Sequence, residues 1–231
     1  ARVNSRGQVE VYFAAYQFDS LASENRGDLH RLVSDDGQVY RYDGVALRRD
    51  DDPCAPHGSG IENVTIVPRT DGSGWRMFFA AGSFPCYGWQ VFSAVSQDER
   101  SWEKEPGVRL SNGGSLPPDD PVTPPWPVGE GMEMDRLASG EWRMIASTYE
   151  HVLPRVDKWQ IAEWRSSDQL SWRYVSTVLT TREMPSEGSG SIYSPVIREV
   201  APGVFRMIFC GDDRGSTGAR SRLWRAVSTD K

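Results

Sequence analysis

Cysteine, histidine and long hydrophobic runs are all scarce in this sequence. Three cysteines among 231 residues are too few for a disulfide scaffold, although an odd number permits one bridge and one free thiol. No window approaches the roughly 18 consecutive apolar residues of a membrane span, and residues 1–7 lack the apolar core of a signal peptide. We therefore expect a soluble protein from which any export signal has already been removed.

Positively charged residues are fewer than negatively charged ones. The 26 lysines and arginines are outnumbered by 32 acidic residues, which gives a formal net charge of −6, and the basic residues are scattered along the chain. Proteins that bind nucleic acids or anionic membranes carry basic patches. We therefore expect neither of these partners, and a neutral or cationic small molecule fits better.

Turn-forming and aromatic residues, in contrast, are abundant. The chain contains 22 glycines, 15 prolines and nine tryptophans, a composition that favours short strands separated by turns. Helical periodicity is not sustained anywhere over roughly ten residues or more.

One motif recurs at a nearly constant spacing. Each complete copy reads Ser-x-Asp-x-x-x-aromatic, and the serines are spaced 62, 70 and 62 residues apart. A fixed period of this size in a strand-rich sequence is typical of a propeller. We expect the Ser and Asp side chains to hydrogen-bond within a turn between the third and fourth strands of each unit. The copies begin at Ser34, Ser96, Ser166 and Ser228.

Strand-like stretches surround every copy of the motif. Two alternating segments precede it, a further one stands ahead of these in three copies, and another follows it in three copies. The sequence therefore predicts an all-β fold, a β-propeller of four-stranded antiparallel blades, of which the chain covers about three and a half to four. We expect a single domain over 1–231, with blades at approximately 1–48, 61–110, 130–180 and 192–231.

The longest loops are predicted to open on one face of the propeller, and that face is where a site is expected. Two acidic residues, Glu62 and Glu130, stand at the starts of innermost strands, and Glu133 follows within one of them. Paired carboxylates can supply the acid and base of glycoside hydrolysis. Glu130 is the strongest candidate because the glycine beside it leaves room for a ligand. For Glu133, an ion pair or a solvated position is the alternative to a role in substrate binding.

The run from Glu130 to Trp142, EGMEMDRLASGEW, resembles the third blade of the five-bladed propeller glycosidases of the arabinanase and β-xylosidase type, glycoside hydrolase family 43. The resemblance implies hydrolysis of arabinose- or xylose-containing glycans with Glu130 as general acid. It places Glu62 or Asn63 where the family has its second-blade Asp, and it puts the general base ahead of residue 1. Met132 stands where the family has proline.

Further candidate ligands lie in the loops of the same face. Aromatic residues there can stack on a sugar ring or cover the core. The charged cluster Asp212, Asp213 and Arg214 can orient substrate or form an ordinary charged turn. No cofactor is predicted; the alternative is a channel cation such as calcium, or a water, held by the two histidines. These candidates for substrate binding are His57, Trp126, His151, Tyr193, Asp212 and Arg214.

Cys54 and Cys86 also fall in loops of this face. A disulfide between them would imply an oxidising compartment, hence a secreted or periplasmic protein, whereas two unrelated thiols are the alternative. A propeller that binds a sugar or other small molecule without hydrolysing it is the second hypothesis for function. A purely protein-binding propeller is the third.

Overall fold

The computed structural model describes residues 1–18, 25–52, 56–58, 60–83, 87–110, 126–152, 156–185, 190–212 and 221–228. Within these ranges the side chains of 16–18, 25–26, 83, 87–89, 126–130, 149–152 and 156–158 are not described. The fold is all-β, as predicted.

The described part of the chain contains fifteen strands and one 3₁₀ turn, Thr181–Glu183. No helix in this part is long and apolar enough to cross a membrane. The strands are β1 (Arg2–Val3), β2 (Val9–Phe18), β3 (Asn25–Ser34), β4 (Arg41–Leu47), β5 (Gly60–Pro68), β6 (Trp75–Ser83), β7 (Tyr87–Ser96), β8 (Glu103–Lys104), β9 (Trp126–Arg136), β10 (Trp142–Val152), β11 (Val156–Ser166), β12 (Arg173–Leu179), β13 (Ser191–Ala201), β14 (Val204–Asp212) and β15 (Ser221–Ser228).

The predicted antiparallel meanders are present. We number them as repeat 1 (β1–β4), repeat 2 (β5–β8), repeat 3 (β9–β12) and repeat 4 (β13–β15), and within each of them successive strands pair antiparallel. A single parallel pair, Gly27 with Gly60, connects the sheets of repeats 1 and 2 at one point. The first strand of each repeat is called its inner strand below.

By its contacts the chain divides into two compact units, residues 1–108 and 109–231. Unit 1 holds repeats 1 and 2, and unit 2 holds repeats 3 and 4. That residues 1–231 form a single propeller domain stays a prediction.

Each unit has its own core, in which the sheet of one repeat packs on the sheet of the next. In unit 1, Leu29 and Leu47 of repeat 1 join Ile61, Met77 and Phe79 of repeat 2. In unit 2, aliphatic residues of repeat 3 pack on repeat 4 in the same way; this cluster comprises Ile145, Ile161, Ile192, Met207 and Phe209. The alternation of residues along the strands thus buries one sheet face against each neighbouring repeat of the unit.

The Ser-x-Asp motif forms the turn that the sequence predicts. In the copy at Ser166, the Ser Oγ donates to Asp168 Oδ1 over 2.9 Å, and Asp168 Oδ1 also accepts from the backbone N–H groups of Leu170 and Ser171 at 2.8 Å. These backbone donors lower the pKa of the Asp168 carboxyl. The copies at Ser34 and Ser96 have the same hydrogen bonds.

Candidate functional site

The inner strands of repeats 2, 3 and 4 share one irregular position. Asn63, Gly131 and Ser194 all have left-handed backbone conformations, with φ of 54°, 69° and 53°. Each lies where the pairing with the second strand shifts register. Such β-bulges re-aim the side chains around them.

The residue directly before this position is Glu62 in β5, Glu130 in β9 and Tyr193 in β13. Glu62 pairs with Ala80, and Tyr193 pairs with Cys210. Ala80 and Cys210 occupy the same position in the matching segments WRMFFAA and FRMIFCG. Three residues predicted as catalytic or substrate-binding therefore occupy one equivalent position in successive repeats. Asn63, predicted to bind substrate, is itself the left-handed residue of β5.

In unit 2 this position brings two inner strands into direct contact. A Cβ atom added to Gly131 would overlap the backbone of Ser194 and lie 3.0 Å from its nitrogen, so only glycine allows β9 and β13 to approach this closely. The Ser194 N–H donates to Ser147 Oγ over 3.0 Å, and Ser147 is fully buried. Glu130 and Tyr193 therefore precede two residues that touch.

Ser147 and Ser194 were not predicted as site residues from the sequence. Ser147 lies in β10 and Ser194 in β13, 47 residues apart, and neither belongs to a recognisable motif. The one sequence feature that pointed to this contact was Gly131, the glycine beside the candidate acid Glu130. The sequence did not indicate that Ser194 would be its contact partner.

Tyr193 is half-buried. Its hydroxyl lies 2.9 Å from Ser221 Oγ, a bond that ties β13 to the start of β15. Asp212 ends β14 and is 7% exposed, opposite Ser191. Tyr193 and Asp212 thus lie at the same end of repeat 4, and their roles in substrate binding stay predictions.

Glu133 forms an ion pair with Arg198 of β13. Burial raises the pKa of the Glu133 carboxyl, and the hydrogen bond and charge of Arg198 oppose this shift. Two residues further on, Asp135 accepts two hydrogen bonds from Arg143, at 2.9 and 2.6 Å. Glu133 is therefore engaged within the protein, and its role in substrate binding stays a prediction.

His57 is held by the protein's own groups. Its Nδ1 lies 2.8 Å from Asp50 Oδ2, and Lys104 Nζ donates to the other oxygen of Asp50 over 2.5 Å. The ring packs edge-on to Phe92, with centroids 4.4 Å apart, and also contacts Phe79. Burial lowers the pKa of the imidazole, so the neutral form is favoured.

Several predicted residues fall outside what the structure describes. The side chains of Trp126, Glu130 and His151 are among these, as are Cys54, Cys86 and Arg214 entirely. Among the described residues, no group of three or more His, Cys, Asp or Glu is arranged to hold a metal.

Two pockets of unit 1 lie far from the candidate position. One of about 340 Å³ is lined by Arg31, Asp43 and Arg100, and one of about 490 Å³ by Arg69 and Trp102, among others. Both adjoin the motif turn after β7, and Ser96 at that turn pairs with Trp75, at the opposite end of β6 from Ala80. These pockets are therefore remote along the sheet from Glu62.

No protein-family model matches the sequence, and no curated protein matches it. Solved structures match in fold. A complex of BT0996 with RGII has a TM-score of 0.71 and 14% sequence identity, over 97% of this chain and 64% of that protein. A glycoside hydrolase has a TM-score of 0.69 at 13% identity, over 99% and 64%. A thermostable family-43 glycoside hydrolase has a TM-score of 0.62 at 13% identity, over 94% and 65%.

The chain spans 64% to 65% of the length of these three structures. At such low identity the match concerns the fold and leaves the chemistry open. The chain has the propeller-like β-fold of glycoside hydrolases.

Proposed function

We propose that this chain is a glycoside hydrolase of the five-bladed propeller type, acting on arabinose- or xylose-containing glycans. Glu130 is the general acid, and the resemblance to the family also assigns a catalytic role to Glu62. The observation that carries the proposal lies within unit 2, where Glu130 of β9 and Tyr193 of β13 stand directly before Gly131 and Ser194, two residues whose backbones touch.

Equivalent positions of successive inner strands are suited to acid–base chemistry. In a propeller the inner strands surround a common channel, so Glu130 and Tyr193, on the neighbouring strands β9 and β13, can reach one ligand. Hydrolysis of a glycosidic bond needs one protonated and one ionised carboxyl group within about 5 to 10 Å. Tyr193, at the same position of repeat 4, offers an aromatic ring and a hydroxyl to a sugar.

The test is hydrolysis of aryl arabinofuranosides and aryl xylosides by the wild type and by Glu130→Gln. Loss of a positioned general acid lowers kcat by about 10²- to 10⁴-fold. Glu141→Gln is the matched control, because Glu141 lies in the turn after β9 and pairs with Arg173 over 3.1 Å. Equal activity of the wild type and Glu130→Gln would exclude Glu130 as the acid.

The second candidate is a propeller that binds a sugar or other small molecule without hydrolysing it. Tyr193 favours it, because the position that holds a carboxylate in repeats 2 and 3 holds an aromatic residue in repeat 4. Calorimetric titration with arabino- and xylo-oligosaccharides separates the two. Binding without turnover, unchanged in Glu130→Gln, supports this candidate. We further propose a disulfide between Cys54 and Cys86 and, with it, a secreted or periplasmic location.

A further inference from the structure

One of the two pockets of unit 1 is built from two turns of repeat 2. It has a volume of about 490 Å³ and is lined by Arg69, in the turn after β5, and by Trp102, at the end of the motif turn after β7. Gln97 Nε2 donates to the carbonyl oxygen of Ser73 over 2.7 Å and so ties the two turns together. This volume falls within the range of small-molecule sites, roughly 300–1,000 Å³. We call it the turn pocket.

The indole of Trp102 differs in its hydrogen bonding from the equivalent indole of repeat 3. Trp172 closes its own motif, and its Nε1 donates to the carbonyl oxygen of Gln169 over 3.3 Å. Trp102 occupies the same position of the motif in repeat 2. Its Nε1 is buried and has no hydrogen-bond partner among the described residues.

The carbonyl that serves the indole in repeat 3 has another partner in repeat 2. Glu99 is the counterpart of Gln169, and the two residues have the same left-handed backbone, with φ of 60° and 65°. The carbonyl oxygen of Glu99 accepts a hydrogen bond from Arg31 Nη1 over 2.6 Å. Because Arg31 belongs to β3, the packing of repeat 1 on repeat 2 engages this oxygen.

A second donor of the turn pocket also lacks an acceptor. Arg69 Nη2 donates to Asp71 Oδ2 over 2.8 Å, but Arg69 Nε is buried and has no partner in the described part of the chain. Repeat 3 has Leu137 at this position, since the N–H groups of Arg69 and Leu137 both close the turn after an inner strand. Buried donors without acceptors destabilise a protein. A ligand oxygen that accepts from either donor therefore supplies what the fold does not.

The lining of the turn pocket suits a neutral ligand that carries hydroxyl groups. The exposed carboxylate of Glu103 stands opposite in charge to Arg69, so charge of a single sign does not dominate. A hydroxyl group donates and accepts at once, which matches a wall that holds both donors and acceptors. The indole of Trp102 adds an apolar ring. A sugar, with its hydroxyl groups and its apolar ring face, has this combination.

We propose that the turn pocket is a second glycan site, which binds a sugar chain without hydrolysing it. It lies at the end of the strands of repeat 2 remote from Glu62. The choice of an arabinose- or xylose-containing chain rests on the proposed function, whereas the pocket and its donors do not. A polysaccharide held there by one segment presents its other segments at a raised local concentration.

The indole N–H signals of ¹H–¹⁵N NMR spectra test the proposal. The chain has nine tryptophans, and Trp102→Phe identifies the signal of Trp102 while keeping an aromatic ring against the core of unit 1. Xylo- and arabino-oligosaccharides are titrated into Glu130→Gln, so that hydrolysis does not interfere. We expect a saturable shift of the Trp102 signal and none of the Trp172 signal, because the N–H of Trp172 is already bonded.

Arg69→Leu introduces the residue of repeat 3 and should weaken this binding at least about tenfold, because the hydrogen bond from a charged donor is lost. Arg136→Leu is the matched control, since Arg136 is exposed and its Nε donates to the carbonyl oxygen of Gly140 in the corresponding turn of repeat 3. Thermal melting verifies that each variant is folded. A Trp102 signal that neither oligosaccharide moves would overturn the proposal, and so would an unchanged affinity in Arg69→Leu.

Failure of this site can be distinguished from failure of the proposed function. Arg69→Leu should hydrolyse aryl glycosides as fast as the wild type, because Arg69 lies beyond the end of β5 that is remote from Glu62. Binding at Trp102 without hydrolysis by the wild type would contradict the proposed function and support this site. Hydrolysis by the wild type with an unmoved Trp102 signal would do the reverse.

Discussion

Gly131 and Ser194 touch where β9 and β13 come together, and both have left-handed backbones, with φ of 69° and 53°. A Cβ atom on Gly131 would lie 3.0 Å from the Ser194 nitrogen and closer still to its Cα. Because these atoms belong to the backbone, they cannot rotate away as a flexible side chain would. The spacing of the two inner strands therefore depends on the absence of a side chain at position 131.

Gly131→Ala should lower both stability and activity. A left-handed alanine alone costs about 1–2 kcal/mol, and the overlap with Ser194 adds to this by separating β9 from β13. Gly140→Ala is the matched control, since Gly140 has a φ of 89° but no atom within 4 Å of an added Cβ. Thermal unfolding of both variants measures the difference. Equal losses in the two would show that the contact with Ser194 does not restrict the site.

Ser147→Ala should destabilise the protein by about 1–3 kcal/mol, because it leaves the Ser194 N–H without its acceptor. Ser191→Ala is the control. Ser191 is 1% exposed and its hydroxyl has no hydrogen-bond partner among the described residues. Chemical denaturation should therefore show a loss for Ser147→Ala and little or none for Ser191→Ala. The reverse order would contradict the assigned role of Ser147.

The sequence was sufficient to predict the repeats, because strand alternation and the Ser-x-Asp turn are local signals. The candidate site could be predicted only in part, because it depends on contacts between residues that are distant in the sequence. The bulges that follow Glu62, Glu130 and Tyr193 in their own repeats arise from pairing register, and Ser147 meets Ser194 only in the folded chain. For His57 the loop position suggested a ligand-binding residue, and the contacts of its ring with Asp50 and two phenylalanines could not be predicted from the sequence.

Glu133 should make stability fall as the pH rises. Its pKa is raised in the folded protein, so its contribution is fully present below the ordinary value of 4.5 and is lost as pH rises through the raised pKa. Glu133→Gln should remove this dependence in thermal melts recorded across the acidic range. Arg198→Gln should extend it to higher pH, because the guanidinium opposes the effect of burial. Superimposable pH profiles for the wild type and Glu133→Gln would contradict this prediction.

The aspartates of the motif turns should act in the opposite direction. Hydrogen bonds from the N–H groups of Val39 and Gln38 lower the pKa of the Asp36 carboxyl. The stability that this carboxylate confers is therefore present above its ordinary value of 3.8 and is lost as the pH falls through the lowered pKa. Asp36→Asn should melt below the wild type near neutral pH, and the gap should close in strong acid. Asp35→Asn is the neighbouring control, since Asp35 accepts one hydrogen bond from Gln8 at 2.7 Å and asparagine retains that acceptor. A gap for Asp36→Asn that is independent of pH would show that the turn depends on the shape of the side chain and not on its charge.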